Sequence, residues 1–443
     1  MRTSRLGLSL AFAGMAVGLA GCSGLQQAPG PLAAAPITRD DPHASLLTPG
    51  EDAAAMADSF SLMAVAPNFL QGQKDFTNAL SVVFPKTVKT NGRSCASCHF
   101  TGAGFTMSPK GVQALAASNP TDALFAAEMA DAGPDVTQAE IHQRLTQQAL
   151  IRVNLSNPWY DPKTAGDPYN PKDLRFWRSV PTAINAGLAN SAKYKNPVTG
   201  KPDSGMIMWD MRETSLEKQA VDASHGHAQG TGFFPGNLGI DVAEFERKAA
   251  TIPSSLYKAK LAKVTIDPRH TNPADPFFGT PVFDPMTVKD KFFRTVNITP
   301  GSAEWRGMMV FVGTPQNPHC IVCHNQPETL AGGTVMNRDA MVSETQDASF
   351  PVVHLRLKDD KGAWHNCDTK DPGCAVTTGR YEDLNTFKVP QLRNIKTFGR
   401  YFHDNSSLDL QDVAQHYREN LPQIFKDMKG KDRNDLVAFL NAL

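Results

Sequence analysis

The hydrophobic positions along the chain recur mostly at helical spacing. Residues 121–132 (TDALFAAEMADA), 137–151 (TQAEIHQRLTQQALI), 213–223 (ETSLEKQAVDA), 302–313 (SAEWRGMMVFVG), 408–420 (LDLQDVAQHYREN) and 433–443 (RNDLVAFLNAL) each read as a helix. Apolar residues three and four apart put one oily face on each, with polar residues between. Thr121 and Thr137 stand where caps belong, because a threonine oxygen can accept from an amide of the first turn. No series of strands stands out. Residues 157–172 and 265–300 are rich in Pro, Asn, Asp and Gly and read as long loops. The pattern predicts a mainly α protein with long loop connections.

Length and charge narrow this only a little. The chain has 443 residues, enough for two or three domains, and a formal net charge of zero. Zero net charge gives no reason to expect nucleic acid as a partner. The first residues stand apart. Arg2 and Arg5 precede the apolar run LGLSLAFAGMAVGLA, and small residues follow. That is the layout of a secretory signal, too short for a membrane span. It ends in LAGC at 19–22, which resembles a lipobox. Residues 1–21 are then a lipoprotein signal peptide and Cys22 the lipid-bearing mature end; the alternative is an ordinary signal with a chance cysteine. Ser23 after the cysteine, by resemblance to sorted lipoproteins, directs the anchor to the outer membrane, facing the periplasm. Residues 22–60, rich in Ala, Pro and Gly after the cysteine, form a tether.

Export changes the meaning of the seven cysteines, because thiols outside the cytoplasm are oxidised unless committed elsewhere. Cys95 and Cys98 precede His99 in CASCH, and Cys320 and Cys323 precede His324 in CIVCH. C-x-x-C-H is the attachment signature of haem c. Two thiols one short turn apart can each form a thioether with a porphyrin vinyl group, and the histidine then lies under the ring and ligates iron. Zinc would require further Cys or His ligands at suitable spacing, which the remaining cysteines do not offer. A redox dithiol leaves the histidine in both motifs unexplained. Two motifs imply two haems, one per domain. Cys367 and Cys374 are left over and can close a small loop as a disulfide.

Further stretches carry a resemblance: FWRSVPTAINAG (176–187), MWDMRETSLEKQA (208–220) and FKVPQLRNIKTFGRYFHDNSSLDLQDVAQHY (387–417). With two C-x-x-C-H motifs in this order, the chain resembles the bacterial di-haem cytochrome c peroxidase and MauG family. The likeness runs from about residue 80 to the end, with an insertion at about 235–300. It implies two cytochrome c-like domains, 61–300 with the peroxide-reacting haem and 301–443 with the electron-transfer haem. It also implies that Trp209 carries charge between them. The alternative for Trp209 is a core aromatic.

The departures from the family pattern carry as much information. The second iron's far ligand is a methionine in the peroxidases, and that position here is Tyr417, as in MauG-like proteins. A phenolate favours ferric and higher oxidation states. His416, Met336 and Met341 are the alternatives. No histidine lies between His142 and His225, so the loop that blocks the first haem in many peroxidases cannot do so here. The family's catalytic glutamate, ten residues after the glutamine matched by Gln219, is replaced by Gln229, which cannot act as a base. His225 and His227 flank that position and could substitute. The family's interdomain calcium would here meet Ser179 and the carbonyls of Phe398 and Arg400, a weak set for an ion that wants six or more oxygens.

These features imply a di-haem oxidoreductase that meets hydrogen peroxide at the first haem. It would exchange electrons with a small cytochrome, a copper protein or a substrate protein, and a homodimer is an option from the resemblance. The rival is a non-catalytic electron-transfer lipoprotein. A weaker option is a structural or sensing protein.

Overall fold

The computed structural model describes residues 75, 76, 78, 83, 86–100, 103–186, 207–213, 215–234, 237–248, 298, 299, 301–314, 317–320, 323, 324, 349–421, 425 and 428–443. The signal segment 1–21, Cys22 and its tether to residue 60, most of the 235–300 insertion, Met336 and Met341 lie outside the described residues.

Helices dominate, as the apolar spacing predicts. They are α1 (Pro109–Ser118), α2 (Gln138–Gln148), α3 (Leu216–Gly226), α4 (Leu238–Lys248), α5 (Ala303–Val312), α6 (Leu410–Asn420) and α7 (Gly430–Ala442). Most start on a side chain that accepts from a first-turn amide. Ser108 caps α1, Thr137 caps α2, Ser215 caps α3, Ser302 caps α5 and Asp409 caps α6. The segment at 121–132 departs from expectation. Asp122, not Thr121, is its cap, and it makes one α-turn (Ala123–Ala126) and a 3-10 turn (Glu128–Asp131). Thr121 instead donates to the Asn119 side chain at 3.1 Å.

Two hairpins add strands to the mainly helical pattern. β1 (Leu150–Ser156) pairs antiparallel with β2 (Asp173–Ser179), Leu150 opposite Ser179 and Ser156 opposite Asp173. The predicted loop 157–172 is their connection. β3 (Val353–Lys358) pairs in the same sense with β4 (Trp364–Thr369). The inner faces of the two hairpins meet: Val153, Leu174 and Phe176 share a core with Val353, Leu355 and Leu357.

Two helix pairs flank the motifs. α5 packs on α7 through Met308, Phe311, Leu436, Phe439 and Leu440, and Cys320 lies against this core. The helices approach so closely that a Cβ on Gly307 would fall 1.8 Å from the Asp435 carbonyl oxygen. Only glycine fits there. α3 packs on α4, where a Cβ on Gly239 would lie 2.5 Å from the Glu217 carbonyl oxygen. Ala220, Leu238, Val242 and Phe245 close on Phe76 and Phe105, with Cys95 at the edge.

Candidate functional site

Both cysteine motifs adopt the same tight turn. The amides of Cys98 and His99 donate to the Cys95 carbonyl at 3.1 and 2.9 Å, and those of Cys323 and His324 donate to the Cys320 carbonyl at 3.2 and 2.8 Å. His99 is fixed further. Its Nδ1 donates to the Phe105 carbonyl at 2.8 Å, and Phe105 takes a positive φ of 52°. With Nδ1 engaged, Nε2 is the nitrogen left to ligate, the arrangement expected of an oriented metal-binding imidazole. Burial also pushes the His99 pKa down, against the Phe105 bond, which keeps the ring neutral and able to ligate.

A cavity of about 460 Å³ is lined by Cys95, Cys98, His99, Cys320, Cys323 and His324 together. Trp209, Gln219, His227 and Tyr417 share its wall. Burial pushes the Cys95 and Cys320 thiols up to about 12, whereas zinc binding or dithiol exchange calls for thiolate. No cluster of three or more His, Cys, Asp or Glu suited to a metal ion occurs among the described residues. Paired thiols on a turn, a neutral histidine with its outer nitrogen held, and a cavity between them suit a porphyrin anchored through thioethers.

Trp209 is held from several sides. Its indole Nε1 donates to the Ser179 carbonyl at 3.1 Å, and its own carbonyl accepts from the Lys388 amide at 2.8 Å. The next residue, Asp210, is fully buried and accepts from Arg178 at 2.6 Å and from Arg212 at 2.8 Å. Burial would raise the Asp210 carboxyl, but the two guanidiniums outweigh it and hold it below the ordinary range. Arg178 also grips Asp371 through two nitrogens, at 2.6 and 2.8 Å. The ion cluster thus ties β2, the Trp209 turn and the loop before Cys374 together.

Tyr417 lies in the cavity wall near the second motif. Burial is the main reason its phenol is raised above the ordinary range, and the Cys323 and Cys320 sulfurs add to it. His416, one alternative ligand, is absent from the cavity lining and lies within 3.2 Å of the Asn420 amide nitrogen.

The remaining candidates separate. His227 faces the cavity, whereas His225 is held at 3.2 Å from the Gly230 carbonyl and packs edge-on against Phe234. Gln229 turns away and donates to the Ala130 carbonyl at 3.2 Å. Ser179, Phe398 and Arg400, the residues expected at the calcium site, share the cavity wall. The Ser179 hydroxyl donates to the Phe402 carbonyl at 2.9 Å. Cys367 of β4 and Cys374, the pair expected to form a disulfide, are both buried. Cys367 donates its S–H to the His365 carbonyl at 3.7 Å. Glu246 of α4 and Asp75 also line the cavity, and neither stood out in the sequence.

No protein-family model matches the chain. Curated relatives do. The chain is 25% identical over 288 residues to cytochrome-c peroxidase IdrP1 of Denitromonas iodatirespirans, covering 61% of this chain and 69% of that protein. It is 24% identical over 332 residues to the methylamine utilization protein MauG of Methylorubrum extorquens, covering 67% and 84%. Among solved structures, a MauG-like protein associated with microbial copper homeostasis matches with a TM-score of 0.40 and 16% identity, over 86% of this chain and 88% of that one. The two turns, the cavity they share and these curated relatives agree. The chain is similar to cytochrome-c peroxidases and MauG over most of its length, and these relatives support a peroxidase-type haem oxidoreductase of the di-haem peroxidase and MauG kind.

Proposed function

We propose that the protein carries two covalent haems c. One is anchored by Cys95 and Cys98 with His99 as iron ligand, the other by Cys320 and Cys323 with His324 and Tyr417. The first haem reacts with hydrogen peroxide, and the second exchanges electrons with a small cytochrome, a copper protein or a substrate protein. Haem iron supplies the redox chemistry when bound; the chain's residues supply position and proton control. The single observation that carries this reading is that one cavity is lined by both motifs and by Trp209. The Trp209 indole N–H ends on a backbone carbonyl, which is not a base at physiological pH. The side chain therefore stays protonated while charge passes it. Gln219 and His227 line the wall as polar groups for a small oxidant. The domain division at residue 300, with a cytochrome c-like unit on each side, belongs to this proposal. So does the lipid anchor at Cys22, which would hold the protein on the periplasmic face of the outer membrane.

The second reading, an electron-transfer lipoprotein without catalysis, draws support from Gln229, which lies outside the cavity where the family's glutamate would act. One equivalent of peroxide added to the ferric holoprotein separates the two. The catalytic reading predicts bleaching of the ferric bands or a new near-infrared band. An unchanged spectrum would favour the second reading.

A further inference from the structure

Helix α4 carries a residue its own pattern does not call for. Leu238, Val242 and Phe245 form its buried face. Glu246 follows Val242 by four residues and so shares that face. A leucine there would pack without cost. Glu246 instead is 6% exposed, and its Oε2 has no hydrogen-bond partner among the described residues. It lines the cavity with Cys95, Cys98, His99, Gln219 and His227. A buried carboxylate without a partner is costly in its ionised form, and carboxyls held in that condition inside clefts are characteristic of proton-transfer sites.

We propose that Glu246 is the cavity's proton-transfer residue, occupying by position in space the role that Gln229 cannot fill by position in sequence. As a carboxylate it would accept the proton of one peroxide oxygen. As a carboxylic acid it would return that proton to the other oxygen, which leaves as water when the O–O bond breaks, the two electrons for that cleavage being what a bound haem would supply. Proton taken equals proton given, so the residue ends each cycle unchanged. The inference rests on the peroxide-reacting function proposed above.

The surroundings favour such a role. Burial raises the Glu246 carboxyl to about 8, with the Arg247 cation opposing and Glu217 of α3 adding to the rise. Glu246 and Asp75 in turn bear on the Cys95 sulfur, where burial remains the larger influence. Arg93, Cys98, His99 and His227 also line the first motif's wall. Arg247 spends its charge on Glu217, with which it forms a surface pair, and so does not clamp Glu246 in the ionised form.

The test uses haem-loaded protein with wild-type sequence, Glu246→Gln and Glu246→Asp. Infrared spectra across neutral to alkaline pH should show a protonated-carboxyl C=O band in the wild type. It should vanish with a midpoint near 8 and be missing from Glu246→Gln. Peroxide consumption by the wild type should rise with pH through the same midpoint. Glu246→Gln should be slower by about 100-fold and lack that step, with haem content and ferric spectrum unchanged. Glu246→Asp, which keeps the carboxyl, should keep a pH step. An infrared band that persists in Glu246→Gln, an unaltered rate profile, or a step lost in Glu246→Asp but present in the wild type would overturn the assignment. A wild type that consumes no peroxide at any pH would instead overturn the functional reading, and the assignment with it.

Discussion

Replacing Tyr417 by phenylalanine removes one oxygen from the cavity wall near Cys320 and Cys323. If that oxygen ligates the second iron, the low-spin component of the ferric electron paramagnetic resonance spectrum changes in Tyr417→Phe while the high-spin component stays. An unchanged low-spin component would move the ligand to another residue. Glu246 gives a second prediction at this scale, in stability. Its carboxyl rises from an ordinary 4.5 to about 8 on folding, so between those values the folded state binds more protons than the unfolded one. Stability therefore falls as pH climbs through that window and levels off above it. The loss is at most about 5 kcal/mol, at about 1.4 kcal/mol per unit. Glu246→Gln should flatten that slope in urea melts at several pH values; an unchanged slope would show that Glu246 titrates normally.

Much of the site was legible residue by residue where the signal was local. The C-x-x-C-H turns close within five residues, so spacing alone specified them. His225 and His227 show the limit. Two residues apart near a helix end, they point to different sides, and where α3 stops decides which one meets the cavity. Glu246 lay beyond reach because its meaning comes from long-range contact between α4 and the first motif.

At the scale of elements, the apolar period located α2, α3, α5, α6 and α7, and Thr137 caps α2 as read, because both signals act over a single turn. By contrast, α1 and α4 went unread and Thr121 is not a cap. The hairpins did carry a local signal: Ile151, Val153 and Leu155 alternate with Arg152, Asn154 and Ser156 in β1, and Val353, Leu355 and Leu357 alternate with His354, Arg356 and Lys358 in β3. Each run is short, and the strand that β1 pairs with lies across a long connection. The core between the hairpins forms only when β1–β2 meets β3–β4, a contact no local pattern encodes. The α5–α7 crossing is the most exacting of the element contacts. Gly307→Ala places a methyl group against the Asp435 backbone and should cost about 3 kcal/mol, lowering the thermal midpoint and loosening the second motif. Gly430→Ala, at a helical position with open space around it, should be neutral or slightly stabilising. Equal effects from both substitutions, seen in calorimetry, would show that the crossing is not tight.

Across the whole molecule, the buried Arg178–Asp210–Asp371 cluster joins the segment beside Trp209 to the second half of the chain. Removing one member strands the others' charge. Arg178→Met should therefore destabilise by about 3–5 kcal/mol, and a double-mutant cycle with Asp371→Asn should show strong coupling. Additive losses would mean the pair does not act as a unit. In the proposed function this clamp holds Trp209 for charge passage between two haems, one of them open to a small oxidant. The electron paramagnetic resonance spectrum of the ferric holoprotein tests that most directly. The account predicts one high-spin signal, from an iron held by His99 with its other side open, beside one low-spin signal from an iron held by His324 and a second ligand. Two low-spin signals and no high-spin component would contradict it.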